Sequence, residues 1–337
     1  MTATALAAAG LVLDGKGILA AASSRPALDA RLRAAGVWPG EASRRAFAEL
    51  LVTTPGLSLG ISGIILGDET FGQRLADGRS FPGAMADLGL RPGIRVDTGA
   101  QPLAGAPGET VTEGLDGLRS RLAAYAALGA RFATWRAVLR SGDGRPSWRA
   151  LRANACAAAR YALVCQEAGV VPVVEVLTRG REATSAALMV MITELQDMGV
   201  ALDGVVLEPG IALPDTSPEA VAQQTLAALW CVVPEEVAGV ALLAAGQSPA
   251  RATANLAAVR RLGTPWPVTF AFGRALTDPA LAAWHGDPAR VGAGQRALAS
   301  RVAGNVAALQ GSYTPVLEPS YVLAGCSWQP GSKSGLG

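Results

Sequence analysis

Residues 170–175 read V-V-P-V-V-E, and residues 204–208 read G-V-V-L-E, closed by Pro209-Gly210. An apolar run ended by a turn signal is the mark of a buried strand. Between the two runs, residues 181–198 place apolar side chains at helical spacing. Strand, helix and strand in immediate succession form one βαβ unit, and such units build parallel sheets covered by helices. Both strands end in a carboxylate, Glu175 and Glu208. A carboxylate at the mouth of a buried strand is costly unless it is paired or used.

The same alternation extends in both directions. Strand-like runs lie at 16–21, 57–66, 93–97 and 131–139 before this unit, and at 237–243 and 267–272 after it. Helical patterns cover 114–128, 147–168, 217–231, 249–262 and 278–309. Eight strands alternating with helices predict an α/β fold, a single (β/α)₈ barrel spanning 1–315. Residues 316–337 are expected to form a flexible C-terminal tail, being polar and rich in glycine at the end. A doubly wound sheet is the competing arrangement. It would favour a glycine-rich phosphate loop after the first strand, and G-I-L-A-A-A-S-S at 17–24 is not one.

Composition narrows the function. The chain has 337 residues and a net charge of +2, so no bulk attraction to nucleic acid or anionic membranes is expected. No apolar run approaches the ~18 residues of a membrane span. The opening M-T-A-T-A-L-A-A-A-G lacks a basic segment and reads as a frayed helical lead-in rather than a signal peptide. The four cysteines are widely spaced and read as buried free thiols in a reducing cytoplasm. His285, the only histidine, follows Trp284 at a helix end and reads as a surface or capping residue. One histidine and no cysteine cluster leave no zinc site, and no metal or other cofactor is expected. Of 29 basic residues, only Lys16 and Lys333 are lysines.

Active sites of such barrels lie at the C-terminal ends of the strands. Those ends carry Ala22, Ser23 and Ser24, then Asp68 and Glu69, then Arg95 and Asp97. Thr134 and Arg136, Glu175, Glu208, Ala244 and Ala245, and Gly273 and Arg274 follow. The mouth thus gathers arginines and carboxylates, which suit either acid/base chemistry or mutual pairing.

Several stretches resemble class I fructose-bisphosphate aldolases, the glycolytic, metal-independent type. They include G-K-G-I-L-A-A at 15–21, A-D-G-R-S-F-P at 76–82, P-L-A-G-A-P-G-E-T at 102–110 and E-G-L-D-G-L at 113–118. W-R-A-V-L at 135–139, R-Y-A-L-V-C-Q-E-A-G-V-V-P-V-V-E at 160–175, A-G-Q-S at 245–248, F-G-R-A-L at 272–276 and G-S-Y-T-P at 311–315 continue the series in order. The resemblance implies a (β/α)₈ barrel and a homo-oligomer, often a tetramer. It implies an acid/base role for Glu175 and matches Asp97 and Arg136 to family positions. Arg31, Gly273 and Arg274 match its phosphate sites.

The resemblance breaks at the catalytic centre. The family's imine-forming lysine precedes proline at the end of the sixth strand, where this chain reads V-L-E-P and has Glu208. Ala22 replaces an aspartate, Thr134 and Arg95 replace lysines, and Ala244 replaces a phosphate-binding serine. Leu177 replaces a second acid, and the family's C-terminal tyrosine has no counterpart beyond Tyr321. Imine chemistry needs a desolvated amine, and a carboxylate cannot supply it. The expected function is therefore that of a pseudoenzyme: a scaffold, regulator or sensor of a phosphorylated sugar or other small anion. An alternative is lysine-independent chemistry in which Glu175, Glu208 and Asp97 act as acid and base or hold Mg²⁺. Ordinary aldol cleavage would require an imine on one of the two lysines. Glu208 is expected to pair with Arg95 or Arg136, and Arg274 either receives an anion or pairs with a carboxylate.

Overall fold

The computed structural model describes residues 3–12, 15–211 and 217–315. Among the described residues there are ten strands: β1 (Gly17–Ala20), β2 (Ile61–Leu66), β3 (Arg91–Arg95), β4 (Gly99–Pro102) and β5 (Thr110–Glu113), then β6 (Phe132–Val138), β7 (Val171–Leu177), β8 (Val206–Pro209), β9 (Gly239–Leu243) and β10 (Val268–Phe272). Eight of them close into a parallel barrel in the order β1-β10-β9-β8-β7-β6-β3-β2. The expected (β/α)₈ architecture is thus the observed one. The antiparallel pair β4–β5 stands outside the barrel and connects β3 to β6. It occupies the Pro-Gly-rich stretch that the sequence reading treats only as a motif.

Period-two alternation sorts each strand into an inner and an outer face. Val173 of β7 joins the barrel interior with Phe132, Val206 and Ala241, while Val174 and Leu207 pack outward against the helices. Trp135 also points outward, stacking on Tyr161 with ring centroids 5.4 Å apart. The Tyr161 hydroxyl donates to the Ala133 carbonyl at 2.6 Å and accepts from the Val173 N–H at 3.2 Å, tying helix 148–167 to β6 and β7. Such an aromatic pair contributes roughly 0.5–1.5 kcal/mol beyond its area. Thr134 and Arg136 lie on the opposite side of β6 from Trp135 and so face inward.

The lower interior is apolar, with the Phe132 ring among aliphatic side chains. A Cβ on Gly93 would lie 2.2 Å from the Phe132 ring, and one on Gly63 would lie 2.8 Å from it. The two glycines therefore make room for the phenyl group. The N-terminal helix Ala3–Leu11 closes this end: Ala8, Leu11 and Val12 belong to the interior cluster. Ser62 Oγ donates to the Leu11 carbonyl at 2.6 Å. Residues 3–12 are thus a plug rather than a frayed lead-in, because their apolar side chains are buried against the interior of the barrel.

The helical pattern at 278–309 is also divided. Helix 274–284 ends at His285, which takes a left-handed conformation with φ 52°, and helix 291–309 begins after a short turn. The capping role expected for His285 is observed, with Nδ1 3.0 Å from the Ala35 carbonyl. Cys165 is buried as expected, but Cys156 and Cys231 are exposed, and all three are free thiols. Cys326 and the tail 316–337 lie outside the described residues.

Candidate functional site

Three neighbouring strands bring Arg136, Glu175 and Glu208 side by side. Arg136 is in register with Glu175, and Glu175 with Glu208. The row crosses the upper interior of the barrel, above the apolar floor. Sequence alternation alone places all three side chains inside, since each lies an even number of residues from an inward-facing valine or phenylalanine on its own strand.

The pairing inside this row differs from expectation. Nε of Arg136 lies 2.7 Å from Oε1 of Glu175, an ion-pair contact whose angle is not that of a hydrogen bond. Burial works against the Arg136 charge, but Glu175, then Asp97 and Glu208, outweigh it and hold its pKa above the ordinary value. Arg95 is bound to Asp97, with Nε and Nη2 each 2.9 Å from a carboxylate oxygen. Asp97 also accepts from the backbone N–H of Gly99 at 3.1 Å and of Arg136 at 3.3 Å.

Glu208 is left without a cation. It is 1% exposed, and among the described residues it makes no ion pair and its buried Oε1 has no hydrogen-bond partner. The expected bridge to Arg95 or Arg136 is therefore absent, because each arginine is held by another carboxylate: Arg136 by Glu175 on the adjoining strand, and Arg95 by Asp97 just beyond the end of its own. Burial is the first cause that pushes the Glu208 pKa well above the usual carboxylate range. The neighbouring Glu175 adds to this, and Arg136 only partly offsets it. The shift favours the neutral form, the cheaper state for a buried, unpaired carboxyl.

Two further strand-end acids are engaged by partners outside the row. Glu69 receives two hydrogen bonds from Arg44, at 2.9 and 2.7 Å, while Arg44 also donates to Asp29 at 2.9 Å. This cluster joins helices 25–34, 41–52 and 68–71. Asp68 accepts from the Tyr125 hydroxyl at 2.6 Å. Neither role was legible in the sequence, since the partners lie up to 57 residues away. Among the described residues, no group of three histidine, cysteine, aspartate or glutamate side chains has the spacing of a metal site.

The opposite side of the mouth is basic. Gly273 caps helix 274–284, and a Cβ there would lie 2.8 Å from the Ala20 carbonyl, so only glycine fits. Arg274 is exposed and, among the described residues, makes no ion pair. Its Nη2 lies against Gly246, in the turn that follows β9, where Ala245 and Gly246 take φ values of 49° and 87°. Arg31 is engaged within the protein. It donates to Asp278 at 2.8 Å, to Thr277 at 2.7 Å and to Ser23 at 3.3 Å.

A closed eight-stranded barrel with its charged side chains gathered inside the C-terminal strand ends has the architecture of a barrel enzyme, whatever its activity. The family model for class-I fructose-bisphosphate aldolase matches residues 4–322, and the chain belongs to that family. A probable class 1 fructose-bisphosphate aldolase of Xylella fastidiosa is 45% identical over 293 residues, which is 82% of this chain and 88% of that one. The cytoplasmic isozyme of Spinacia oleracea is 42% identical over 319 residues, covering 90% and 89%. The solved aldolase of Plasmodium falciparum, in complex with TRAP and a small-molecule inhibitor, superposes with a TM-score of 0.89. It is 34% identical, over 93% of this chain and 95% of that one.

Proposed function

We propose that this chain is a pseudoenzyme of the aldolase family, one that senses a small phosphorylated ligand or serves as a scaffold. The carrying observation is Glu208, a buried carboxyl with no ion pair among the described residues, at the position to which the resemblance assigns the imine-forming lysine. An imine needs an amine whose lone pair is free. The chain has two lysines, Lys16 and Lys333. Lys16 immediately precedes β1, at the end of the barrel opposite the mouth. Gly273 and Arg274 support the ligand side of the reading. A helix N-terminus with an unengaged guanidinium favours an anion. A cytoplasmic homo-oligomer fits the relatives, one of which is named a cytoplasmic isozyme. The complex of the Plasmodium relative with TRAP is a precedent for the scaffold role.

The test combines two assays. Incubation with fructose 1,6-bisphosphate and a coupled readout is expected to give no triose-phosphate release. Borohydride added to the mixture is expected to leave the protein mass unchanged. Turnover near 1 per second, or a reduced adduct on either lysine, would overturn the reading.

The row itself favours one other reading. Glu175 is paired with Arg136 while burial raises the pKa of its unpaired neighbour Glu208, and two carboxyls in unlike environments are the usual makings of an acid/base pair. Lysine-independent proton transfer would then be the activity. Exchange of substrate carbon-bound hydrogen with deuterated water, lost in Glu175→Gln, would support this second reading over the first.

A further inference from the structure

We propose that the outer face of the barrel carries a docking groove for an acidic peptide segment of another protein, gripped by Trp148, Arg145, Arg149 and Arg152. The inference gives a surface to the scaffold part of the reading above. It stands apart from the barrel mouth, because Arg136, Glu175 and Glu208 take no part in the groove.

The groove lies where the turn at 105–107, between β4 and β5, meets the start of helix 148–167. It has a volume of about 880 Å³ and is lined by Ala106, Pro107, Trp148, Arg149 and Arg152, among others. Ser147 caps the helix, its Oγ accepting from the Ala150 N–H at 3.2 Å. Trp148 is therefore the first helical residue, ahead of the buried stripe that begins at Ala150, and it is 62% exposed. Arg149 and Arg152 are exposed one turn apart, on the outer side of the helix. The positive end of the helix dipole adds to their charge.

Two of the guanidinium groups are fixed without being neutralised. Arg149 Nη1 donates to the Gly105 carbonyl, and Arg145 Nη2 donates to the Pro107 carbonyl at 3.3 Å. A carbonyl holds the fork in place and leaves its full charge, with further N–H groups free to donate. Among the described residues, Arg145, Arg149 and Arg152 make no ion pair. By contrast, Arg44, Arg119 and Arg261 each meet a glutamate. The one acid in the described lining is Glu109. It is 6% exposed, and its Oε1 accepts from the Ser147 N–H at 2.7 Å.

Charge decides the occupant. Preset arginines take carboxylates in bidentate fashion, and the Trp148 face with Ala106 and Pro107 suits one large apolar side chain. Tryptophan and arginine are the residues on which protein interfaces concentrate their binding energy. A second copy of this face would set arginine against arginine. Residues 316–337 hold one acid, Glu318, and one base, Lys333, so the chain's own tail brings no net charge to the groove. Nucleic acid draws its affinity from many phosphate contacts along a basic track, and the whole chain carries only +2. A short acidic segment with an apolar anchor matches both the charge and the aromatic face.

The probe is a fluorescein-labelled peptide of glutamates around a central phenylalanine, titrated with the full chain and followed by anisotropy. Saturable binding is expected below about 1 mM, weakening severalfold as salt rises from about 50 to 300 mM. Trp148→Ala is expected to weaken it at least about fivefold, and Arg149→Glu with Arg152→Glu at least about tenfold. The charge-reversed protein is expected to prefer the same peptide with lysine in place of glutamate, a gain that mere loss of structure would not produce. In wild type, a photo-crosslinker on the phenylalanine is expected to label residues 105–107 or 148–153, a readout that needs no variant. Equal affinity for the glutamate and lysine peptides, or labelling confined to other residues, would overturn the proposal. So would the absence of saturation at about 1 mM, or tighter binding of single-stranded RNA that the Arg149 and Arg152 changes remove. Aldol cleavage is assayed separately, so failure here leaves the pseudoenzyme reading standing.

Discussion

Replacing Glu208 by glutamine isolates the cost of burying an acid without a partner. The side chain keeps its volume and loses only the ionisable proton. In the unfolded chain the carboxyl titrates near its ordinary value of 4.5, whereas in the folded barrel its pKa is raised well above that. Between those two values the folded state binds more protons than the unfolded state. The sign of the linkage is then fixed: wild-type stability falls as pH rises through this window. The fall is about 1.4 kcal/mol per pH unit. For 337 residues an unfolding entropy near 2.1 cal/mol/K per residue gives about 0.7 kcal/mol/K. The wild type should therefore lose about 2 °C in Tm per pH unit relative to Glu208→Gln, beginning near pH 5. Thermal unfolding of both proteins, followed by circular dichroism at half-unit steps from pH 4.5 to 8, measures the difference directly. The two curves should meet at the acid end and diverge upward, the variant being the more stable. A constant offset at all pH values would refute the buried neutral acid. So would a variant destabilised by about 3–5 kcal/mol at neutral pH, the signature of a broken buried ion pair.

Glu69 should behave in the opposite sense. Its hydrogen bonds from Arg44, working against burial, lower its pKa, so its contribution is present above the ordinary carboxylate value and disappears as pH falls through the folded one. Glu69→Gln should cost roughly 1–3 kcal/mol at pH 7, with the gap to wild type closing toward pH 3 in urea titrations. Gly93→Ala should push a methyl into the Phe132 ring and cost about 1–3 kcal/mol, read as a lower urea midpoint with unchanged far-ultraviolet circular dichroism. Arg274→Ala should abolish millimolar sulfate binding without shifting Tm, because that side chain makes no ion pair among the described residues; retained affinity would place the anion elsewhere.

Strand order, barrel closure and the inward direction of Glu175, Glu208 and Arg136 follow from patterns visible along the chain. Alternation of period two is local, and a buried parallel strand announces itself as an apolar run. The scarcity of lysine is equally plain in the sequence and constrains the chemistry before any coordinates are seen. Pairing is not local. Arg136 lies 39 residues from Glu175 and 72 from Glu208, and only the register of β6, β7 and β8 sets which carboxylate it meets. Arg95 is in register with Thr134, yet it pairs with Asp97, two residues on and just past the end of its strand. The same limit hid the ties of Asp68 and Glu69 to Tyr125 and Arg44. It also hid the plug formed by Ala8 and Leu11, whose apolar side chains carry meaning only against the floor they fill. Sequence supplies the charges and the faces on which they stand. Tertiary structure alone determines which charge reaches which, and it leaves Glu208 with none, since electrostatic pairing depends on distances of a few ångströms between strands far apart in the chain.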